Sequence, residues 1–241
     1  MRPAAFQRRR LVAAIPLALA IAMQCALVGC GDSTAQTDPQ RRAPSGASAG
    51  TPAARTAIPV TPHGVALAAA ARRQIGVTVR YDPAYVRLSY PGGDVPASRG
   101  VCTDVVIRAL RTQRIDLQQR VHEDMRAHFA EYPQKWGLRA ADSNIDHRRV
   151  PNLQTWFERQ GWSLPVTSRA ADYRAGDLVT WMLPGNLPHI GIVSDRKTMS
   201  GGTPLIIHNI GRGTREEDIL FDHRMTGHYR PRAVKRVVER L

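Results

Sequence analysis

The sequence has few cysteines, few lysines and no hydrophobic run that makes a good membrane span. Three cysteines occur in 241 residues, and two of them, Cys25 and Cys30, lie near the amino terminus. The apolar run at 11–29 is too short and too quickly interrupted for a spanning helix. Once the amino-terminal segment is set aside, Cys102 is the one cysteine that remains, so the rest of the chain has no partner for a disulfide.

The amino terminus has the pattern of an export leader. Four arginines precede the apolar run, and the run ends in "LVGC" at 27–30, which resembles the lipobox of bacterial lipoproteins. The resemblance implies that residues 1–29 are a signal peptide and that Cys30 is lipidated, which anchors the protein to a membrane on its periplasmic side. Gly31 stands after the cysteine in place of an aspartate, which favours the outer membrane. The alternative is an ordinary signal peptide cut near these small residues.

The segment after the leader differs in composition from the rest of the chain. Residues 30–58 are rich in Ser, Thr, Ala, Gly and Pro and almost empty of large apolar side chains, which predicts a disordered tether. Residues 59–241 have the length of one domain with its own core. The sequence therefore predicts a leader, a tether and a single domain.

The net positive charge of the sequence indicates a cellular environment, the cell envelope, and does not identify a binding partner. The net charge is +14, and it is about +10 without the four arginines of the leader. Such a balance suits anionic partners in the cell envelope. The basic residues are scattered, and no basic stripe with interleaved aromatic residues or nucleic-acid motif is present, so we predict no nucleic-acid partner. The sequence carries no signal for an oligomeric state.

Within the predicted domain, helical patterns come first and strand patterns follow. Amphipathic helix patterns cover 61–76, 102–113, 116–132 and 150–161. Strand patterns cover 77–81, 176–183, 189–195 and 204–211. Strands that are adjacent in sequence and separated by short turns favour an antiparallel sheet. The predicted class is α+β, with helices packed on a small antiparallel sheet.

Cys102 is the candidate nucleophile. It stands at the predicted start of a helix, where free N–H groups and the helix dipole lower a thiol pKa and can hold an oxyanion. The alternative is a buried cysteine that packs as a small apolar side chain. An unpaired thiol in an exported domain favours the functional interpretation.

A cysteine nucleophile needs a base, usually histidine, with a third polar group that orients the imidazole. His189 opens an apolar strand after "PGNLP", and His208 ends the apolar run "PLII". Neighbouring strands would place these two rings side by side, facing Cys102. The other histidines outside the 146–149 segment are predicted to be surface or structural residues: His63, His122, His128, His223 and His228.

Three blocks of the sequence resemble those of NlpC-type cell-wall cysteine peptidases. They are "YPGGDVPASRGVCTDVV", "RAGDLVTWMLPGNLPHIGIVSD" and "PLIIHN". More narrowly, residues 65–232 resemble a family of bacterial envelope proteins, domain of unknown function 1287, with "GVCTDVV", "DHRRVPNL" and "HNIG" in order. The resemblance implies a papain-like (NlpC/P60-type) fold with Cys102 as nucleophile, His189 as general base and His208 as orienting residue, and with no metal and no cofactor.

The resemblance leaves several roles open. Asn209 competes with His208 for the third position, and because adjacent strand residues point to opposite faces, one of the two faces His189. Tyr90 matches the tyrosine that lies beside the nucleophile in the family, and its alternative role is loop packing. Thr103 and Asp104 depart from the family pattern after the cysteine and are further candidates for contacts with the oxyanion or the substrate.

The segment between nucleophile and base contains a charged group at 146–149. Asp146, His147 and Arg148, with Arg149, are candidates for lining the substrate groove, where arginine would bind carboxylates of a stem peptide through paired hydrogen bonds. The alternative is an internal ion-pair cluster that holds the insertion together.

The leading hypothesis is a lipid-anchored thiol hydrolase that cleaves an amide bond in peptidoglycan stem peptides. A second hypothesis is a module that binds wall peptides without cleaving them. A metal hydrolase using His147, His189 and His208 is a third, although the sequence has no close ligand spacing such as HExxH. Action on another amide or a lipid substrate is also open, because one fold serves several acyl-transfer reactions.

Overall fold

Helices cover one face of an antiparallel sheet in the described part of the chain, residues 63–200 and 202–232 of a computed structural model. The α-helices are α1 (Gly64–Arg72), α2 (Cys102–Arg111), α3 (Leu117–His128) and α4 (Val150–Arg159). Short 3₁₀ helices occupy Phe129–Glu131, Asp146–Arg148 and Ala170–Asp172. The predicted signal peptide 1–29, the lipidation site Cys30 and the predicted tether 30–58 lie outside the described residues.

Six strands form the main sheet, and all of its neighbouring pairs are antiparallel. Their order is β3-β8-β4-β5-β6-β7. The strands are β3 (Ser163–Leu164), β4 (Leu178–Leu183), β5 (Leu187–Lys197), β6 (Pro204–Asn209), β7 (Thr214–Glu217) and β8 (Arg224–Tyr229). A separate parallel pair joins β1 (Arg80–Tyr81) to β2 (Arg99–Gly100). The predicted mixed class with an antiparallel sheet is confirmed.

Local sequence accounts for the helix starts. His63 caps α1, with its Nδ1 accepting a hydrogen bond from the Ala66 N–H at 3.3 Å. Gly64 opens that helix at a close approach, because an added Cβ would lie 2.1 Å from the carbonyl oxygen of Ala175. Pro151 stands in the first turn of α4, where its missing N–H costs no helical hydrogen bond.

The strand expectations hold for β4, β5 and β6 and fail elsewhere. In the predicted strand 77–81 only Arg80 and Tyr81 pair with another strand. The strands β7 and β8 were not predicted, because "TREE" and "RMTGHY" lack the apolar alternation of a half-buried strand. Their partners in the sheet, and not their own sequences, make them strands.

Alternation along the strands creates two apolar layers. On the helix side, Ile190 and Ile192 of β5 and Ile207 of β6 pack with residues of α1, α2 and α4. On the opposite side, Val193 and Ile206 pack in a smaller cluster around Trp181 and Leu220. Because strand residues alternate between faces, His189 and His208 belong to the face with Trp181, and Asn209 belongs to the helix face.

No helix within 63–200 or 202–232 combines the length and the apolar character that crossing a bilayer requires.

Candidate active site

The start of α2 is held in place by a carboxylate two residues after Cys102. Asp104 Oδ2 accepts the N–H of Val101, the residue before the helix, at 2.7 Å. The same carboxylate receives two hydrogen bonds from Arg148, at 3.0 and 2.9 Å. The side chains of this ion pair are 2% and 3% exposed. A buried bidentate pair therefore positions the residue that begins the helix.

The Cys102 thiol is buried, and its pKa is raised to about 12. Burial is the largest cause, and the negative charge of Asp104 adds to it. Hydrogen bonds from the backbone N–H groups of Ile190, Thr103 and Cys102 oppose the rise. The expectation that the helix start lowers this pKa is wrong, because the loss of hydration outweighs the donors. The resting group is a thiol, so reaction requires a base.

Three side chains on adjacent strands form a hydrogen-bonded line. His189 Nε2 on β5 lies 2.9 Å from His208 Nδ1 on β6. His208 Nε2 lies 2.9 Å from Glu217 Oε2 on β7. Glu217 is the residue of this line that the sequence did not single out, because it belongs to a strand without apolar alternation. A polar residue next to a candidate strand is too weak a signal to find it.

The line determines which nitrogen of His189 is free. A carboxylate accepts hydrogen bonds, so His208 Nε2 carries the proton directed at Glu217. A neutral His208 then accepts at Nδ1, and His189 donates from Nε2. His189 is left with an unprotonated Nδ1. That nitrogen is the one available to take a proton from a nucleophile.

Both imidazoles are neutral at rest. Burial lowers the pKa of His189 to about 3, and His208 adds to the effect. Burial also lowers the pKa of His208, against the opposing influence of Glu217. The carboxylate is the group that favours a positive charge on this pair.

Asn209 has a different position from His208. Its side chain donates from Nδ2 to the carbonyl oxygen of Gly100 at 3.0 Å, two residues before Cys102. Its Oδ1 accepts the N–H of Gly211 at 3.2 Å. His208 therefore contacts His189, and Asn209 fastens the end of β6 to the segment that leads into α2.

The Cys102 sulfur contacts β5, the strand that carries His189, through a backbone N–H group. The N–H that donates to Cys102 belongs to Ile190, the residue after His189. Within the described residues, no hydrogen bond joins the thiol to the ring of His189 or His208. His189 and His208 lie on the sheet face with Trp181, whereas Cys102 packs in the apolar layer on the helix side. The expectation that the two rings face Cys102 is therefore not met in this structure.

A cleft of about 200 Å³ opens beside Cys102. The residues that line it are mostly apolar or aromatic, with two arginines: Tyr81, Pro83, Val101, Cys102, Trp136, Ile145, Arg148, Arg149, Val150, Pro151 and Pro188. Pro188 precedes His189 in β5, so one side of the cleft is formed by β5.

The tyrosine of this cleft is Tyr81 and not Tyr90. Burial, together with the charges of Cys102 and Asp104, raises the pKa of Tyr81 to about 12, so its hydroxyl is a hydrogen-bond donor at neutral pH. Tyr90 packs edge-on against His122 of α3, with ring centroids 5.0 Å apart. Tyr90 therefore packs against α3 and does not line the cleft beside Cys102. No signal in the sequence distinguishes the two tyrosines.

The remaining candidates lie behind the cleft wall. Thr103 is buried and donates from Oγ1 to the carbonyl oxygen of Arg148 at 3.2 Å. Asp146 and His147 are buried too, and burial raises the pKa of Asp146 to about 6 and lowers that of His147 to about 3. Arg148 lines the cleft, but its guanidinium makes hydrogen bonds to groups inside the protein. These contacts are those of the ion-pair cluster considered as the alternative for 146–149.

The metal-hydrolase hypothesis finds no grouped ligands. Across 63–200 and 202–232, no three side chains of His, Cys, Asp or Glu come together as a metal site. His147 is therefore separate from the pair formed by His189 and His208.

Comparisons with known proteins place the chain among relatives without an assigned role. The family described as domain of unknown function 1287 matches residues 68–231. An uncharacterized protein, YijF of Escherichia coli (strain K12), is 63% identical over 166 residues, which cover 69% of this chain and 80% of that protein. A solved structure of NlpC1 from Trichomonas vaginalis gives a TM-score of 0.39 at 12% identity, over 70% of this chain and 44% of that one.

Proposed function

The chain belongs to the family of domain of unknown function 1287, and we propose that it is a thiol hydrolase of papain-like fold that cleaves amide bonds in peptidoglycan stem peptides. Cys102 is the nucleophile, His189 the general base and His208 the residue that orients it. The lipid anchor at Cys30 and the periplasmic face of the outer membrane belong to the same proposal. The line from His189 through His208 to Glu217 is the observation that carries it.

The chemistry follows from the protonation states. Substrate brings the carbonyl carbon to the sulfur. The His189 ring, which lies on the other face of β5 from Cys102 at rest, has to turn toward the sulfur, and its Nδ1 then takes the thiol proton as the S–C bond forms. The N–H groups at the start of α2 and the Tyr81 hydroxyl are the donors near the developing oxyanion. His189 then protonates the leaving amine as the C–N bond breaks, which leaves a thioester on Cys102.

The second half of the reaction hydrolyses the thioester and regenerates the free enzyme. Water attacks the thioester carbonyl and gives a proton to His189 Nδ1, the C–S bond breaks, and the proton returns to the sulfur. The products are a carboxylic acid and an amine. His208 and Glu217 stabilise the positive charge that His189 carries in both halves, since Glu217 is the source of negative charge in the line.

The first prediction tests the nucleophile. Incubation of the purified full chain with isolated peptidoglycan should release new muropeptides, detected by liquid chromatography and mass spectrometry, and Cys102→Ala should release none. Cys30→Ala is the matched control, because it removes the other mature cysteine and should retain hydrolysis.

Two results would overturn the proposal. One is a parent chain that leaves the muropeptide profile unchanged, and the other is a Cys102→Ala chain that still cleaves. The parent chain without cleavage but with saturable binding to peptidoglycan would support the second candidate, a binding module. The raised thiol pKa and the missing Cys102–His189 hydrogen bond are the observations that favour that candidate.

A further inference from the structure

The cleft beside Cys102 has a one-sided charge. Two of its lining residues are charged, Arg148 and Arg149, and no carboxylate lines it. Asp104 and Asp146, which pair with these two arginines, are buried. A substrate that enters this cleft therefore meets positive charge and apolar surface.

Arg148 is not the residue that a ligand would meet. Its guanidinium makes two hydrogen bonds to Asp104. It makes two more to the carbonyl oxygens of Ala84 at 3.0 Å and Asp82 at 3.1 Å. Its charge is balanced by a buried carboxylate, and most of its five N–H donors are occupied.

Arg149 is placed differently, although it is the next residue. The described residues give its guanidinium one hydrogen bond, from Nη1 to Asp146 Oδ1 at 3.3 Å. Its guanidinium carbon lies 4.2 Å from the centre of the Trp136 ring, which fixes the plane of the group by a cation–π contact. Desolvation lowers its pKa, so the cation is partly removed from water without full compensation.

The backbone holds Arg149 rigidly. Its carbonyl oxygen accepts the N–H groups of Asn152 and Leu153 at 3.0 and 3.1 Å, at the start of α4. A cation with free donors, a fixed backbone and an aromatic support is suited to bind a planar anion.

We propose that Arg149 is the specificity-determining residue of this cleft and that it binds a free carboxylate on the amide substrate. The aliphatic part of the substrate lies on the apolar wall formed by Ile145, Val150 and Pro151. The inference rests on the proposed function, in that the cleft beside Cys102 is the substrate site. It selects, within the class of wall-peptide amides, those with an ionised carboxyl group close to the scissile bond.

The discrimination expected from this contact is large. A carboxylate forms paired, charge-assisted hydrogen bonds with a guanidinium, whereas a carboxamide has one acceptor and carries no charge. The loss of such a contact reduces binding by at least about tenfold. The conversion of one carboxyl group to an amide on an otherwise identical peptide isolates this effect.

The test uses two synthetic stem peptides that differ at the D-glutamyl α-position, one with a free carboxylate and one with the carboxamide. Binding to the Cys102→Ala chain is measured by calorimetry, so that the result does not depend on turnover. We expect at least about tenfold tighter binding of the carboxylate peptide. In the Cys102→Ala/Arg149→Gln chain the two peptides should bind alike. Arg169→Gln in the same background is the control, because Arg169 also pairs with an aspartate three residues away, Asp172, and does not line the cleft.

The outcomes separate the inference from the proposed function. Equal binding of both peptides, no binding of either, or a preference that survives Arg149→Gln would overturn the role of Arg149. If the carboxylate preference is present and depends on Arg149 but the parent chain cleaves neither peptide, the hydrolase proposal fails and the recognition of a carboxylate stands. If the parent chain cleaves both peptides with equal kcat/KM and binds them equally, hydrolysis stands and the inference fails.

Discussion

Glu217 is the residue on which the protonation of the two histidines depends. Its carboxylate is 37% exposed, while the ring of His208 that it contacts is 1% exposed. Glu217 lies on β7 at the edge of the sheet, so its partly solvent-exposed carboxylate contacts a buried imidazole. Through that contact His208 Nε2 keeps its proton and His189 Nδ1 stays free to act as base.

The second prediction removes this charge. Glu217→Gln should lower kcat/KM by about 10- to 100-fold, the effect of losing a hydrogen bond to a charged group. It should also move the acidic limb of the pH–rate profile to lower pH, because the carboxylate raises the pKa of His208 and its loss makes the pair harder to protonate.

The control is Asp218→Asn, which removes the neighbouring carboxylate at an exposed position of the chain. It should leave both the rate and the limb as in the parent chain. If Glu217→Gln lowers kcat/KM but leaves the acidic limb of the pH–rate profile in place, Glu217 supports the fold and does not control the protonation of His189 and His208.

At the scale of elements, the start of α2 is fastened from two sides. Asp104 and Arg148 tie it to the 3₁₀ helix Asp146–Arg148, and Asn209 ties the preceding segment to β6. Both contacts are buried, so the segment that carries Cys102 is held by the insertion and by the sheet at once. The insertion between Cys102 and His189 is therefore part of what supports the candidate site.

The third prediction concerns the buried ion pair. Arg148→Met should lower the free energy of unfolding by about 3–5 kcal/mol, because it leaves Asp104 as an uncompensated buried charge. Chemical denaturation followed by circular dichroism measures this. Arg169→Met is the matched control at an exposed pair with Asp172 and should leave the denaturation midpoint unchanged. Equal midpoints for the two variants would contradict the structural role of the buried pair.

At the scale of the whole molecule, two buried histidines link stability to pH. The pKa values of His147 and His189 are both lowered to about 3 by burial, from an ordinary value of 6.5. Between these values the unfolded chain binds more protons than the folded chain, so stability is full above about pH 6.5 and is lost as the pH falls. Asp146, with its pKa raised to about 6, opposes this between its ordinary value near 4 and pH 6.

The fourth prediction follows from that balance. Each buried histidine contributes a loss of about 1.4 kcal/mol per pH unit between about pH 6 and pH 4. His147→Gln should flatten the fall in unfolding free energy by about that slope, measured by urea denaturation at pH 7.0, 5.5 and 4.5. A variant whose stability runs parallel to that of the parent chain over this range would show that His147 is not held neutral by the fold.

Residue pattern was sufficient for the elements that face the core. The helix that begins at Cys102 and the strands that carry His189 and His208 follow from apolar spacing, which depends on residues close together in the chain. The strands β7 and β8 were missed because polar residues dominate them, and the pairing that makes them strands comes from distant parts of the chain.

By itself, the sequence determined the helix start at Cys102, the two histidines on adjacent strands and the mixed class of the domain, because local periodicity and turn residues encode them. Only the tertiary structure decided that Tyr81 and not Tyr90 lines the cleft, that Glu217 ends the histidine line, and that Arg149 and not Arg148 has free donors. It also reversed the expected pKa of Cys102. The physical reason is shared: hydration, charge balance and hydrogen-bond partners depend on which distant segments meet, and no local pattern contains that information.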